Sequence, residues 1–256
     1  MNHFFSALQF SAFGELCIHH LGALDATTVV VMLGRNNVQR RSSSIDALLC
    51  ELHKAGLTVC WCERRGHLNA RLRATALANI EEAWLGALAS RHPVPGRLAT
   101  TLVRLYLKSR YPKRRYVVLD KWSLRADAQD DLRLFLRTLP ERQVFIVSHS
   151  AGGLVASLAA AEPAIQKMVC FGYPFKHPDK PEEPSRTAHL AGLGKPFLII
   201  QGGRDEYGGA QDVGRYVLSS QIAVAAVDAD HDYELLGTPG FDKARQLILD
   251  FLMPQR

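Results

Sequence analysis

The stretch Val144–Leu154, VFIVSHSAGGL, decides the fold of this chain. A short apolar run ends at small residues, and a second small, apolar run begins directly after them. This pattern predicts a buried strand that turns sharply into a helix, with Ser150 at the turn. Only small neighbours let the backbone turn so tightly, and the turn lifts the serine hydroxyl above the sheet edge. Ser150 is therefore the candidate nucleophile, and Ser148 stands where the G-x-S-x-G pattern has its first glycine.

Apolar runs recur on both sides of that stretch and predict an α/β fold. They read as buried parallel strands because they are continuous and rich in β-branched residues. The runs are Thr28–Leu33, Leu57–Cys62, Val144–Val147, Ile165–Phe171 and Phe197–Gln201, with a weaker sixth at Gln221–Val227. Helical patterns lie between them, which favours right-handed βαβ units and a mostly parallel sheet with helices on both faces. No linker or repeat interrupts the chain, so we expect one domain over residues 1–256.

One segment breaks this rhythm and is predicted to be a helical, basic insertion at residues 69–115. Asn69–Arg110 reads as two helices without a strand between them, separated at Pro93–Gly96. Tyr116–Leu119 is either a short strand or the start of a helix. From Ala83 to Leu119 the chain has no acidic residue, whereas it carries eight arginines and lysines.

Two further residues complete a candidate catalytic triad. In the fold that such a turn predicts, the triad follows in chain order as Ser, then Asp or Glu, then His. Asp205 follows the buried strand that ends at Gln201, and His231 lies in a loop after the last, weaker strand. Asp228 and Asp230 are alternative candidates for the acid.

The predicted chemistry is nucleophilic attack on a carbonyl. His231 takes the proton of Ser150, and Asp205 holds the imidazole in the correct tautomer. Two backbone N–H groups are needed to hold the oxyanion. The candidate donors are Ala151, directly after the nucleophile, and Arg35 or Asn36, in the loop after the first long strand. The five cysteines are scattered and lack further ligands at metal-binding spacing, so we predict no metal site and reduced thiols in a cytoplasmic protein.

These segments together resemble the α/β-hydrolase fold family, from residue 25 to residue 252. The residues that carry the resemblance are Leu33–Asn36, Ser148–Gly153, Gly202–Asp205 and Asp230–His231. The segment Phe171–Pro178, FGYPFKHP, is similar to a narrower branch that is related to dienelactone hydrolases and includes testis-expressed and chromatin-complex-associated members. The resemblance implies cleavage of a carboxylic ester or thioester without a metal or organic cofactor. The candidate pocket-lining residues are His177, Tyr173 and Arg35.

Three departures from the family pattern keep other functions open. Ser148 replaces a glycine, Leu33-Gly34 stands where the oxyanion loop usually opens with His-Gly, and the insertion precedes the nucleophile strand. The first two are compatible with a catalytically silent binding or scaffold protein on the same fold. The same triad also serves an acyltransferase, in which the acceptor is a molecule other than water.

Charge and hydropathy limit the expected partners. The net charge is +6, and the basic insertion is either a solvated helical face or a site for an anion. The anions considered are a phosphate-bearing thioester, an acidic carrier protein and an anionic membrane surface. Few aromatic residues interleave with the basic ones, which does not favour nucleic acid. No apolar run reaches membrane-spanning length, so a small-molecule ester or thioester is the expected partner, with the oligomeric state open.

Overall fold

Eight strands among the described residues form one sheet. They are β1 (Phe5–Ser11), β2 (Gly14–Leu21), β3 (Thr28–Leu33), β4 (Thr58–Cys62), β5 (Gln143–His149), β6 (Ile165–Phe171), β7 (Phe197–Gly202) and β8 (Ile222–Val227). The computed structural model describes residues 5–11, 14–34, 42–62, 90–110, 124–139, 141–234 and 236–253. Within them the strand order is β1-β2-β4-β3-β5-β6-β7-β8.

In the part of the sheet with the order β4-β3-β5-β6-β7-β8, each strand runs parallel to its neighbour. This arrangement confirms the predicted fold class. Their carboxyl ends lie side by side: Leu33 of β3 pairs with Ser148 of β5, and Gly202 of β7 pairs with Val227 of β8. The loops after β5, β7 and β8 therefore open on the same edge of the sheet. That edge is where open α/β sheets bind their ligands.

Helices cover both faces of the sheet. The described helices are α1 (Ser43–Lys54), α2 (Pro93–Arg110), α3 (Leu124–Arg137), α4 (Ala151–Leu158) and α5 (Thr238–Leu252). Residues of α1 and α5 pack on one face, and residues of α3 and α4 pack on the other. Successive side chains of a strand point to opposite faces, and β3 shows this directly. Val29 and Val31 pack in the same core as residues of α3 and α4, whereas Val30 and Met32 pack with residues of α1 and α5. Both faces of the strand are thus apolar, which explains its continuous run of branched residues.

An antiparallel hairpin at the start of the chain was not anticipated from the sequence. β1 pairs antiparallel with β2, and β2 pairs antiparallel with β4, so the hairpin extends the sheet at its β4 edge. The segment is only mildly apolar, and its strands bear polar residues such as Glu15 and His19. An edge hairpin needs fewer apolar residues than a central parallel strand, and its sequence signal is weaker for that reason.

Of the predicted insertion at residues 69–115, the structure describes residues 90–110. Helix α2 begins at Pro93, so the prediction that Pro93–Gly96 separates two helices was wrong for the start of the second one. Proline is tolerated in the first helical turn because the N–H groups there have no intrahelical acceptor. The predicted first helix, over Leu72–Leu88, and the segment Tyr116–Leu119 lie outside the described residues.

Helix α4 starts directly after Ser150 and packs very closely on the sheet. A Cβ atom on Gly152 would lie 2.6 Å from the carbonyl oxygen of Leu33 and 2.7 Å from the backbone nitrogen of Gly34. A Cβ on Gly153 would lie 2.3 Å from the sulfur of Cys170. The two glycines therefore set the distance between α4 and the neighbouring strands.

Replacing Gly152 with alanine tests this close approach. Because the added Cβ would meet backbone atoms, we expect Gly152→Ala to lower the free energy of unfolding by about 1 to 3 kcal/mol. Gly192→Ala is the matched control, since nothing lies within 4 Å of a Cβ at that position. Urea unfolding of both variants measures the effect, and an equal loss of stability in the two would contradict the argument.

Candidate active site

Ser150 lies at the turn between β5 and α4 in a strained backbone conformation. Its φ is +53° and its ψ is −124°, a region that non-glycine residues rarely adopt. The turn is held on both sides: the Ser150 N–H donates to the carbonyl of Phe171 at 3.0 Å, and the Gly153 N–H donates to the carbonyl of Ser150 at 2.8 Å. The residue is half-buried, so its side chain stays accessible at the sheet edge.

Ser148 fits the turn because its hydroxyl has a hydrogen-bond partner. Ser148 is fully buried, and its hydroxyl donates to the carbonyl of Val169 on the adjacent strand at 2.8 Å. A buried hydroxyl without a partner would destabilise the strand. The departure from the glycine pattern is thus accommodated by one hydrogen bond to β6.

The three candidate triad side chains lie together in one line of hydrogen bonds. Ser150 Oγ lies 2.7 Å from His231 Nε2, and His231 Nδ1 lies 2.9 Å from Asp205 Oδ1. With the proton on Nδ1, the imidazole donates to the carboxylate and accepts from the serine hydroxyl. His231 is 8% exposed and Asp205 is 4% exposed, so bulk water screens this pair little.

Gln201, at the end of β7, anchors the acid, and the sequence did not point to it. Its side-chain amide donates to Asp205 Oδ2 at 3.1 Å and to the carbonyl of Gly208 at 2.6 Å. Its Oε1 accepts from the Tyr173 N–H at 2.9 Å. The other carboxylate oxygen, Oδ1, accepts from the Tyr207 N–H at 2.8 Å. The carboxylate is therefore held from both sides and aimed at the imidazole.

The loop that carries His231 is tied to the start of α1. The hydroxyl of Ser42 donates to the carbonyl of Tyr233, and the hydroxyl of Ser43 donates to the carbonyl of Glu234 at 2.6 Å. The tyrosine has a φ of +51°, and its own hydroxyl donates to a carbonyl of β7 at 2.8 Å. The two serine bonds connect residues that are 191 positions apart, so no local sequence signal reveals them.

A second contact joins the nucleophile turn to the histidine loop directly. Nε2 of His149, the residue before Ser150, donates to the backbone carbonyl of His231 at 2.7 Å. The two imidazole rings lie 5.3 Å apart between centroids. Since His149 is adjacent to Ser150 in the chain, this bond fixes the separation of the serine and the imidazole through the backbone.

Gly172 explains part of the FGYP segment that the sequence had singled out. Its φ is +58°, and a Cβ at this position would lie 2.9 Å from Asp205 Oδ2 and 3.3 Å from His231 Nδ1. Only glycine combines that backbone conformation with room for the acid and the imidazole. The segment thus leaves space for the triad.

The other two acids considered in the sequence are engaged elsewhere. Asp228 is exposed and forms an ion pair with Arg204. Asp230 accepts from the N–H groups of Asp232 and Tyr233 through one carboxylate oxygen, which shapes the turn after the histidine. Among the three candidates, Asp205 is the one that lies against the His231 ring.

One of the candidate oxyanion donors lies in the described structure. Ala151 is exposed at the first position of α4, where a backbone N–H has no acceptor within the helix. Its N–H is thus available beside the serine hydroxyl, at the positive end of a short helix. Arg35 and Asn36 lie outside the described residues.

The nearby thiol of Cys170 is not suited to act as a nucleophile. Full burial raises the pKa of Cys170 to about 12, so the thiol stays protonated and cannot form the reactive thiolate near neutral pH.

Within the described residues no cluster of three or more His, Cys, Asp or Glu side chains is placed to hold a metal ion.

Of the candidate pocket-lining residues, Tyr173 lies in the core and His177 lies near the His231 ring. Tyr173 is fully buried, and its hydroxyl donates to the carbonyl of Arg186 at 2.7 Å, so it belongs to the core and does not support a pocket-lining role. His177 is half-buried and packs edge-on against Tyr207, with 5.7 Å between ring centroids. Tyr207 in turn lies 4.2 Å from the His231 ring. His177 and Tyr207 thus form one wall beside the imidazole.

Comparison with known structures gives the same architecture. A serine hydrolase without a lid from Xanthomonas campestris is 15% identical, with a TM-score of 0.58, covering 100% of this chain and 98% of that chain. A thioesterase domain from the curacin biosynthetic pathway is 9% identical, with a TM-score of 0.61 and coverage of 97% and 99%. A serine hydrolase homologue from Coxiella burnetii is 13% identical, with a TM-score of 0.56 and coverage of 97% of each chain. At these identities the likeness establishes the fold.

The fold, with its nucleophile turn and strand-end loops, is that of an α/β hydrolase. The model of the family described as "Alpha/beta hydrolase domain" matches residues 106–250, more than half of the chain, and the chain belongs to that family. The matched range includes Ser150, Asp205 and His231. Membership supports hydrolase activity in general. No curated protein matches the chain in sequence.

The anchoring role of Gln201 is testable by removing its hydrogen bonds while keeping its length. We expect Gln201→Met to lower the free energy of unfolding by about 1 to 3 kcal/mol for each buried group left unpaired, among them the Tyr173 N–H and the Gly208 carbonyl. Gln166→Met is the matched control, because Gln166 is exposed and bonds only locally. Chemical unfolding measures both, and a Gln201 variant as stable as the control would refute the anchor.

Proposed function

We propose that the protein is a serine hydrolase that cleaves a small carboxylic ester or thioester through an acyl-enzyme on Ser150. The observation that carries the proposal is the hydrogen-bonded line from Ser150 Oγ to His231 Nε2 and from His231 Nδ1 to Asp205. A nucleophile within reach of a base, which is itself oriented by an acid, is the arrangement that activates a serine.

In the first half-reaction, Ser150 Oγ attacks the carbonyl carbon of the substrate while His231 Nε2 takes the hydroxyl proton. The negative charge passes to the former carbonyl oxygen, where the Ala151 N–H donates to it. Asp205 stabilises the imidazolium that forms. The oxyanion then collapses, the bond to the alcohol or thiol breaks, and the imidazolium hands its proton to that leaving group.

In the second half-reaction, water repeats the attack on the acyl-serine. His231 takes a proton from the water as its oxygen bonds to the acyl carbon, and it returns that proton to Ser150 Oγ when the acid leaves. We assign the second oxyanion donor to Arg35 or Asn36, as the chain position after β3 suggests. The cycle regenerates the enzyme and requires no cofactor.

The substrate class rests on the chemistry of the triad and on the family. Acyl transfer through a serine suits esters and thioesters, since both have a leaving group that the imidazolium protonates. One protein with this fold is a thioesterase domain, and others are described as serine hydrolases. The resemblance of Phe171–Pro178 to the dienelactone-hydrolase branch supports a small substrate, and the wall of Tyr207 and His177 would border it.

The silent-scaffold alternative loses one of the three observations that favoured it. Those observations were Ser148, the Leu33-Gly34 start of the oxyanion loop and the basic insertion. Ser148 is hydrogen-bonded within the turn and does not displace the nucleophile. An acyltransferase would use the same first half-reaction, so product analysis with and without an added alcohol or thiol acceptor distinguishes it from a hydrolase.

Covalent labelling tests the activated nucleophile. A fluorophosphonate probe should form an adduct on Ser150 of the folded protein, because His231 removes the hydroxyl proton during attack on phosphorus. Mass-spectrometric mapping of the modified peptide identifies the residue. We expect Ser150→Ala and His231→Ala to abolish the adduct.

The matched control is Ser109→Ala, which removes an exposed serine on α2 and should leave the labelling unchanged. A folded wild-type protein that takes up no probe, or an adduct on another residue, would overturn the proposal. Such a result would favour the alternative of a catalytically silent binding or scaffold protein.

The identity of the acid is tested by a pair of asparagine variants. Asp205→Asn keeps the shape of the side chain but no longer stabilises the imidazolium, so we expect turnover of a short p-nitrophenyl ester to fall by about 10⁴-fold. Asp228→Asn, on an exposed carboxylate paired with Arg204, should keep wild-type turnover. Equal losses in the two variants would show that Asp205 is not the orienting acid.

A further inference from the structure

Helix α2 exposes a continuous apolar stripe. Val94, Leu98, Leu102 and Leu105 recur at spacings of four, four and three residues, which places them on one face of a helix. They are 68%, 63%, 65% and 54% exposed, and Tyr106 beside them is 52% exposed. These are the main large apolar side chains that the described structure leaves in contact with water on a single element. Exposed apolar surface of this kind marks an interaction site.

The stripe lies on the outer face of the helix. Gly96, on the side away from the stripe, is buried, so the stripe is the outer face. None of the main packing contacts between described helices and strands involves α2, in contrast with α1, α3, α4 and α5. The apolar residues of the stripe therefore add nothing to the two cores of the sheet.

The charge next to the stripe has one sign. Arg97, Arg104 and Lys108 occupy helix positions along one edge of the stripe, since each residue advances about 100° around an α-helix. No acidic residue occurs from Ala83 to Leu119 to offset them. An apolar face bordered by basic positions is complementary to a surface that is apolar inside and anionic outside.

We infer that α2 is an interfacial helix that attaches the protein to an anionic lipid surface. The helix has 18 residues, and no helix among the described residues is long and apolar enough to cross a membrane. It lies parallel to the bilayer, with Leu98, Leu102 and Leu105 in the boundary between headgroups and acyl chains. The positive charge carried by the basic positions along the edge of the stripe attracts the anionic headgroups.

Vesicle binding by the full-length protein tests this attachment. The probes are vesicles of phosphatidylcholine alone and of phosphatidylcholine mixed with phosphatidylglycerol, with the bound fraction measured by flotation. We expect clear binding to the mixed vesicles, weaker binding to the neutral ones, and a loss of the difference at high salt, where charges are screened. Arg104→Gln combined with Lys108→Gln should weaken binding to the mixed vesicles about 10- to 30-fold.

A matched pair of serine variants isolates the apolar contribution. Leu102→Ser removes one inserted side chain and should weaken partitioning about 10-fold or more. Val217→Ser removes a side chain that is 76% exposed elsewhere on the surface, and it should bind like the wild type. Thermal unfolding followed by circular dichroism reports that both variants are folded, and because this control needs no activated serine, it keeps this test separate from that of the proposed hydrolase.

Three outcomes would overturn the inference. The first is the absence of binding to the mixed vesicles, and the second is an equal effect of Leu102→Ser and Val217→Ser on that binding. The third is sedimentation showing a dimer that Leu102→Ser dissociates, without vesicle binding. The stripe would then be an interface between two copies of the chain.

Discussion

The backbone at Ser150 is the constraint on which the rest of the site depends. A positive φ at a residue with a side chain costs roughly 1 to 3 kcal/mol, so the surrounding structure must hold it in place. The hold comes from close packing: α4 approaches β3 and β6 at a distance that only Gly152 and Gly153 permit. It also comes from the strand pairs on either side of β5, which align the carboxyl ends of three strands. The conformation of the strained turn therefore depends on the packing of α4 and on the pairing of the strands around it.

Buried hydrogen bonds hold Asp205 and the His231 imidazole in position. Gln201 is fully buried, and its amide bonds to the backbone of two loops as well as to Asp205. His149 and the serines at the start of α1 fix the loop that carries His231. In a medium of low dielectric such a network holds its geometry firmly, because each unpaired group would cost free energy. Rigid placement is what a preorganised site requires, since each group then faces the reacting atoms before substrate binds.

The sequence predicted the residues that directly follow an apolar run and missed those that act across the fold. Ser150, Asp205 and His231 come after recognisable strands, and parallel strands bring their ends to one edge, so their meeting was predictable. Gln201 lies inside its strand and looked like part of an apolar run, while its partners, Tyr173 and Gly208, are set by the tertiary structure. The β1–β2 hairpin was missed because an edge pair needs little apolar character. The start of α2 was misjudged because prolines and a glycine were read as a break, although the first turn of a helix accepts them.

Two regions of the molecule are subject to different physical constraints. Around the triad, substitutions are constrained by backbone contacts and buried hydrogen bonds, so chemistry there depends on a few positions. Helix α2 enters between β4 and β5, and the loops that carry Ser150, Asp205 and His231 follow β5, β7 and β8. Its exposed apolar residues belong to neither of the two cores formed by the described residues, so those cores do not account for their apolar character. An apolar stripe that lies outside both cores and exposes several large side chains to water is unfavourable for a free protein, and contact with another surface removes that cost.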